Sequence, residues 1–280
     1  MNNISNLISI SCLQYTSQND EMLTLKIIKP LINKAIDLGS NLIALPECAT
    51  SLHESSETTK KLAKTESENI SLDILKETAK ANSVYILIGS LPIKIKNKIA
   101  NRSFLIGPNG ETLYKYDKIH MFDVNLPNGE SYKESATYSP GSKAVIAKIK
   151  LDRVIKIGMT ICYDVRFPNL FQDLAKNGAD IITVPSAFSN NTGKLHWHTL
   201  LRARAIETGC FIVAPAQTGI HSGGRKTYGH SLIISPWGEV IADANKELCF
   251  INAKIDLDLV KEARLAIPNL KAQKKYLTNF

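Results

Sequence analysis

Apolar residues fall along this chain in short runs that alternate with stretches of helical spacing almost from end to end. The runs rich in Ile and Val, bounded by Gly, Pro, Asn and Asp, are too short for helices and predict strands. They are Leu7–Gln14, Leu42–Leu45, Val84–Gly89, Ser103–Ile106, Ala144–Ile149, Lys156–Ile161, Ile181–Val184, Phe211–Ala214, Ser231–Ile234 and Cys249–Ile255. Helical spacing predicts helices over Met22–Leu38, Glu68–Ala81, Leu170–Asn177, Leu195–Thr208 and Asp258–Glu262. Pro108-Asn109-Gly110 predicts a hairpin turn between Ser103–Ile106 and Thr112–Tyr116, and Pro236-Trp237-Gly238 a second one. Some strands alternate while others are wholly apolar, as expected of sheets with helices on one face and another sheet on the other. The fold class is therefore layered α/β. Periodicity leaves the strand order open.

The chain echoes itself once. Asn41–Glu47 and Asp180–Ser186 share a polar residue, an apolar strand, a Pro and a polar residue. Ligands of open α/β sheets lie beyond the carboxyl ends of strands, which would put Glu47 and Ser186 at one crevice. Two buried strands ended by Pro fit the pattern equally well.

Composition narrows the classes. With 280 residues, 44% hydrophobic and 21% charged, the chain is globular rather than disordered. No apolar run reaches the ~18 residues of a membrane span. The first six residues carry no basic region ahead of their apolar positions, so no signal peptide is expected, and the protein is expected to be cytoplasmic. The net charge is +8, yet only seven of the 34 basic residues are Arg and no nucleic-acid-binding motif is present. A solvated Lys-rich surface accounts for that charge without nucleic acid. The five cysteines (Cys12, Cys48, Cys162, Cys210 and Cys249) are odd in number and form no C-x-x-C pair. That favours free thiols over a disulfide framework or a structural zinc site.

One cysteine stands apart. Cys162 follows the apolar run Lys156–Ile161, and Phe167-Pro168-Asn169 leads into a helical pattern. A thiol on such a strand-to-helix turn would feel the helix dipole, which favours thiolate, and the Tyr163 N–H next to it could hold an oxyanion. A plain strand end is the competing reading. A cysteine nucleophile needs a base and a cation. Glu47, directly after a buried strand and Pro46, is costly there unless paired or used. Lys118, after Thr112–Tyr116, is weak on its own.

Together these residues resemble the nitrilase (carbon–nitrogen hydrolase) superfamily, whose signature is Glu, Lys and Cys in that order. Leu45-Pro46-Glu47, Tyr114–Phe122 with Lys118, and Thr160–Pro168 with Cys162 match its motifs. Lys133-Glu134-Ser135 with Pro140-Gly141 fits its second acid. The likeness runs from the first strand to about residue 265. It implies one carbon–nitrogen hydrolase domain over residues 1–280 with a C-terminal tail after about 265, folded as a four-layer α-β-β-α sandwich, with no cofactor and no metal. It further implies Glu47 as general base, Cys162 as nucleophile forming a thioester, Lys118 as oxyanion stabiliser, and Glu134 orienting Lys118 or the substrate nitrogen. Ser186-Ala187-Phe188, Thr192-Gly193, His196-Trp197 and Leu200–Thr208 resemble the Nit-type amidases within that superfamily, as do Tyr228–Ser231 and Pro236-Trp237-Gly238. Asn169, Lys194 and His198 depart from their pattern. That branch implies a homodimer or larger even-numbered oligomer, for which the arginine-bearing helix at Leu195–Thr208 offers modest support.

The substrate implied is a small amide, the terminal amide of an α-keto acid, with ammonia leaving. Deaminated glutathione stands ahead of α-ketoglutaramate, and an N-carbamoyl substrate is an alternative. Arg166, four residues past Cys162, could grip its carboxylate or pair with an acid such as Asp164. Tyr163, Phe188 and Thr192 would complete the binding site. Two rivals remain. A Cys–His protease-like pair would need one of six histidines, but His196 and His198 lie two apart on a helical pattern and share no face. A non-catalytic scaffold would more often have lost one of Glu47, Lys118 and Cys162.

Overall fold

The computed structural model describes residues 6–127 and 129–278, so the leader reading of the first six residues falls almost wholly outside it. The first half runs β1 (Leu7–Gln14), α1 (Glu21–Asp37), β2 (Leu42–Ala44), α2 (Ser56–Leu62), α3 (Ile70–Asn82), β3 (Tyr85–Ile95), β4 (Lys98–Ile106) and β5 (Thr112–Asp117). A small ribbon follows, β6 (Asp123–Asn125) with β7 (Ser131–Lys133). The second half runs β8 (Val145–Lys150), β9 (Val154–Met159), α4 (Pro168–Lys176), β10 (Ile181–Thr183), α5 (Asn190–Thr208) and β11 (Phe211–Ala214). A second ribbon, β12 (Thr218–Ile220) with β13 (Lys226–Tyr228), precedes β14 (Leu232–Ile234), β15 (Val240–Asp243), β16 (Cys249–Asp256), α6 (Asp258–Ala266) and α7 (Asn269–Ala272).

The strands make two six-stranded sheets, ordered β16-β1-β2-β3-β4-β5 and β15-β14-β11-β10-β9-β8. In each, three parallel strands (β1, β2, β3 and β9, β10, β11) carry one antiparallel strand on one side and two on the other. The sequence echo now has a structural meaning, because β2 and β10 are the middle parallel strands of the two sheets. Each sheet face is set by the period-2 alternation of its strands. Ile8, Ile10, Cys12, Leu42 and Ala44 join Ile155, Ile157, Ile181 and Phe211 in one core. Ile43, Ile86, Ile88 and Phe104 turn the other way, onto Leu25, Ile28 and Ile32 of α1 and Leu72 and Leu75 of α3. Phe171, Leu174, Trp197 and Leu201 of α4 and α5 complete the core on the second sheet. The result is the four-layer α-β-β-α sandwich that the resemblance implied.

Local signals explain most boundaries. Asp20 caps α1 by accepting from the Leu23 N–H (2.9 Å), and Asn69 caps α3 through Leu72 (2.8 Å). Pro168 opens α4 at its first turn, where its missing N–H costs nothing, so the helix starts two residues before the expected Leu170. Three expectations fall short. β3 and β4 continue past Gly89 and begin before Ser103, meeting in a hairpin whose alternating Ile93-Lys94-Ile95 marks a half-exposed extension. α5 starts at Asn190, five residues early, and so carries Thr192. α2, whose cap Ser55 accepts from Thr58 (3.0 Å), was not expected at all, because its surface is polar all round.

Candidate active site

Backbone constraints deliver each side chain. Glu47 leaves the carboxyl end of β2, and the chain there crosses Gly89 so closely that a Cβ would lie 2.2 Å from the Leu45 carbonyl oxygen. Only glycine permits that crossing. Cys162 leaves the end of β9 with φ +49°, a left-handed conformation that costs a non-glycine residue of order 1 kcal/mol. Its N–H donates to the Pro185 carbonyl (2.9 Å), and a 3-10 turn from Cys162 to Arg166 follows. The elbow and the end of β10 are thereby locked together.

Four predicted residues meet here. Lys118 is almost wholly buried, and its Nζ donates to Glu47 Oε1 (2.9 Å) and to both oxygens of Glu134 (2.9 and 2.8 Å). Glu47 Oε2 accepts the Ala187 main-chain N–H (2.8 Å), and the Cys162 thiol is close enough to the same carboxylate for each to shift the other's pKa. Phe122 N–H donates to Glu134 Oε2 (2.7 Å), fixing the second acid. Burial alone would raise the Glu47 pKa, but the Lys118 charge and the donors around the carboxylate hold it below the ordinary range. Burial likewise opposes the Lys118 charge, and Glu134 and Glu47 overcome it, so its pKa is raised.

The thiol behaves differently from the sequence expectation. Burial, then the neighbouring Glu47 charge, push the Cys162 pKa well above its usual value. A five-residue 3-10 turn supplies too little dipole to counter them. These two directions favour a neutral thiol beside an ionised carboxylate.

Two residues that hold this cluster were not singled out from sequence. Asn101 on β4 donates from Nδ2 to both Glu47 Oε1 (3.0 Å) and Glu134 Oε1 (3.1 Å). Its signal was a polar residue inside an apolar strand, hidden because β4 was expected to begin at Ser103. Asp164, fully buried, accepts from Tyr116 Oη (2.7 Å), the Ile161 N–H (2.9 Å) and the His120 N–H (3.1 Å), and lies 2.7 Å from His120 Nδ1. It ties both sides of Lys118 to the elbow rather than pairing with Arg166.

The cluster sits at the base of a cavity of about 500 Å³. Tyr163, Phe188 and Thr192 line it with Glu47, Lys118, Glu134 and Cys162. Arg166 does not. Its guanidinium lies 5.5 Å from the Phe188 ring and 5.9 Å from the Tyr163 ring, bonded to His196 Nδ1 (3.1 Å). The arginine that lines the cavity is Arg225, on the loop between β12 and β13, donating to the Ala187 carbonyl (2.8 Å). Among the described residues, three buried side-chain atoms lack a hydrogen-bond partner, His53 Nδ1, Thr192 Oγ1 and Arg225 Nε, and all three belong to residues of this one lining. Unsatisfied polar atoms gathered in one cavity mark a ligand-binding surface.

Comparisons with known proteins agree with that geometry. A family profile described as carbon-nitrogen hydrolase matches residues 9–265. A protein of Synechocystis named deaminated glutathione amidase is 40% identical over 264 residues, covering 93% of this chain and 96% of that protein. Omega-amidase NIT2-A of Xenopus laevis is 34% identical, with 89% and 88% covered. The crystal structure of the C. elegans NitFhit protein superposes with a TM-score of 0.89 at 33% identity, covering 96% of this chain, which spans 66% of that longer protein.

Proposed function

This chain belongs to the carbon–nitrogen hydrolase family, as a Nit-type amidase, and on that premise we propose that it hydrolyses an amide of an α-keto acid through a Cys162 thioester. The observation that carries this reading is the bonded pair Glu47 and Lys118 lining, together with Cys162, one cavity that also gathers unsatisfied polar atoms.

The steps follow from the donors and acceptors. Glu47 takes the thiol proton as sulfur attacks the carbonyl carbon, forming the C–S bond and a tetrahedral oxyanion. Lys118 has three N–H donors, which at rest meet Glu47 Oε1 and both oxygens of Glu134, so Glu134 can give up one of its two bonds and still hold the ammonium. The donor so freed, with the Tyr163 N–H, receives the oxyanion. Collapse breaks the C–N bond, and Glu47 returns its proton to the departing amine. Water then gives a proton to Glu47 and attacks the thioester, releasing the acid and the thiol. Glu134 holds Lys118 throughout. Arg225 and Lys118 balance the charges of Glu47 and Glu134, which keeps a site this buried neutral overall.

Cavity size favours deaminated glutathione over α-ketoglutaramate, since the former has roughly twice the non-hydrogen atoms and the space falls within the ~300–1,000 Å³ range of drug-sized ligands. In that substrate the scissile amide is substituted, so the leaving amine is a dipeptide; ammonia leaves only from the primary amide of α-ketoglutaramate. Phe188 supplies an apolar wall and Thr192 a free hydroxyl, while Arg166, outside the lining and bonded to His196, would meet the keto-acid carboxylate only by leaving that partner. Initial rates on both keto acids, beside a nitrile and an N-carbamoyl amino acid, test the assignment. Faster turnover of either of the last two would overturn it.

We also propose a single catalytic domain, a cytoplasmic location and an even-numbered homo-oligomer. Leu195 and Ile206, three helical turns apart on one exposed face of α5, and the exposed Trp237 support an interface there. A monomeric mass by light scattering at micromolar concentration counts against it.

A further inference from the structure

A second set of converging side chains lies where α5 meets the β14–β15 hairpin, apart from the cavity. His198 projects from α5, His230 precedes β14, and Asp243 ends β15. His198 Nε2 lies 3.1 Å from Asp243 Oδ2, and His230 Nδ1 lies 3.0 and 3.1 Å from the two carboxylate oxygens. All three ligand-type atoms fall within 4.8 Å of one another, and each residue is partly exposed, which leaves an entry path. Among the described residues no other group of three His, Cys, Asp or Glu meets that condition.

We infer that His198, His230 and Asp243 form a binding site for a borderline divalent transition-metal ion, zinc(II) first, with His198 Nε2, His230 Nδ1 and an Asp243 oxygen as ligands. A tetrahedral ion with bonds of ~2.0–2.1 Å separates its ligands by about 3.3 Å. The nitrogen–oxygen spacings need open by only tenths of an ångström, and water completes the coordination. Two imidazoles and one carboxylate suit zinc, nickel or copper and are a poor set for magnesium or calcium, which take mainly oxygen. On binding, each imidazole gives the ion the lone pair of the nitrogen that now faces Asp243 and carries its one proton on the other ring nitrogen.

The surroundings hold the ligands in place. The Trp197 indole N–H donates to the His230 carbonyl (2.7 Å), so the helix that presents His198 also anchors the His230 backbone. The Asn245 N–H donates to Asp243 Oδ1 (2.8 Å) and orients the carboxylate. Tyr228 stacks on the His230 ring with centroids 4.4 Å apart. His230 itself has φ +54°, a conformation that turns its ring toward Asp243. His196, two positions from His198, points instead to Arg166, so the sequence argument against pairing those two holds while His198 finds its partners across the fold. A bound ion would clasp α5 to the β14–β15 hairpin. It takes no part in the amidase steps.

The test uses the full chain with Cys162 alkylated by iodoacetamide, so that this thiol does not compete for metal. Calorimetric titration with Zn²⁺ is expected to give one ion per chain with Kd of about 10 μM or tighter. At a hundredfold excess over Kd, Tm should rise by about 5 °C or more. Co²⁺ as a probe should give d–d bands with no thiolate charge-transfer band. His198→Ala, at a half-exposed helix position that tolerates alanine, should weaken Zn²⁺ binding by ~100-fold or more while unmodified His198→Ala protein keeps its amidase activity. His230→Asn, which accepts the left-handed backbone, should weaken it likewise. Absence of uptake, unchanged affinity in His198→Ala, or a sulfur charge-transfer band in the alkylated chain would each overturn the site.

Discussion

Glu47 Oε2 accepts a 2.8 Å hydrogen bond from the main-chain N–H of Ala187. The acid at the end of the middle parallel strand in one sheet is thus held by the turn at the end of its counterpart in the other. Glu47, the proposed base, holds this position only because the two sheets are stacked in this register, and the predictions below follow from that dependence.

Glu47→Gln keeps the acceptor for the Ala187 N–H but cannot take a proton. Turnover should fall by ~100-fold or more, the scale of general-base removal. His196→Ala and His230→Asn should cost far less, and steady-state kinetics showing the reverse ranking would favour a Cys–His mechanism.

Cys162 should be the thiol alkylated first by iodoacetamide, because it lines the cavity beside Glu47, the proposed acceptor of its proton. Cys48 is the informative comparison. It also lines the cavity, but burial and then the Glu47 charge push its pKa up to about 12, with no base poised to take its proton. Peptide mass mapping reads the order of labelling, and Glu47→Gln should slow labelling of Cys162.

Lys118→Met leaves Glu47 and Glu134 buried against each other without their cation. A loss of about 3–5 kcal/mol in unfolding free energy is expected, the usual cost of breaking a buried ion cluster from one side. Urea denaturation measures it, and a variant as stable as the parent would contradict the ion triad.

The two shifts also set a pH window. Glu47, with its pKa lowered by folding, contributes stability above the unfolded carboxylate pKa of ~4.3, and loses it as pH falls through the lower folded value. Lys118, with its pKa raised, contributes fully below ~10.4 and loses it as pH rises through the higher folded value. Stability from this pair should therefore be flat between those limits. The acid limb of kcat/KM should lie below the ordinary carboxylate range, and a limb near pH 6 would show that Glu47 is not held ionised.

Asp164→Asn puts an amide N–H₂ where the carboxylate now meets four polar atoms from Tyr116, His120 and Ile161. We expect ~1–3 kcal/mol of destabilisation and a fall in kcat with little change in KM, since Lys118 and the elbow lose their common tether. A rise in KM alone would make Asp164 a binding residue instead.

Arg166→Ala should raise KM for the keto-acid amide by ~10-fold or more and leave kcat nearly unchanged. Unchanged kinetics in that variant, with Arg225→Ala impaired, would move the carboxylate grip to the arginine that already lines the cavity.

Local sequence determined the parts that obey local rules. The periods of Leu7–Gln14 and Phe211–Ala214, the caps and turns, and the positions of Glu47, Lys118, Glu134 and Cys162 were legible because strand periodicity, turn chemistry and short motifs act over a few residues. What the tertiary structure alone decided has longer reach. Asn101 acquires its role by bridging two acids that come from different elements, and Asp164 by meeting a strand 48 residues away. Arg225 stood in a glycine-rich loop with no pattern to mark it, and Arg166, promising by spacing, was carried behind Phe188 and Tyr163. The Cys162 pKa turned upward because burial and a carboxylate outweigh a short turn's dipole, and neither burial nor a neighbour 115 residues distant is written in local order. Electrostatics and hydrogen bonding depend on distance through space, and stacking two sheets sets those distances.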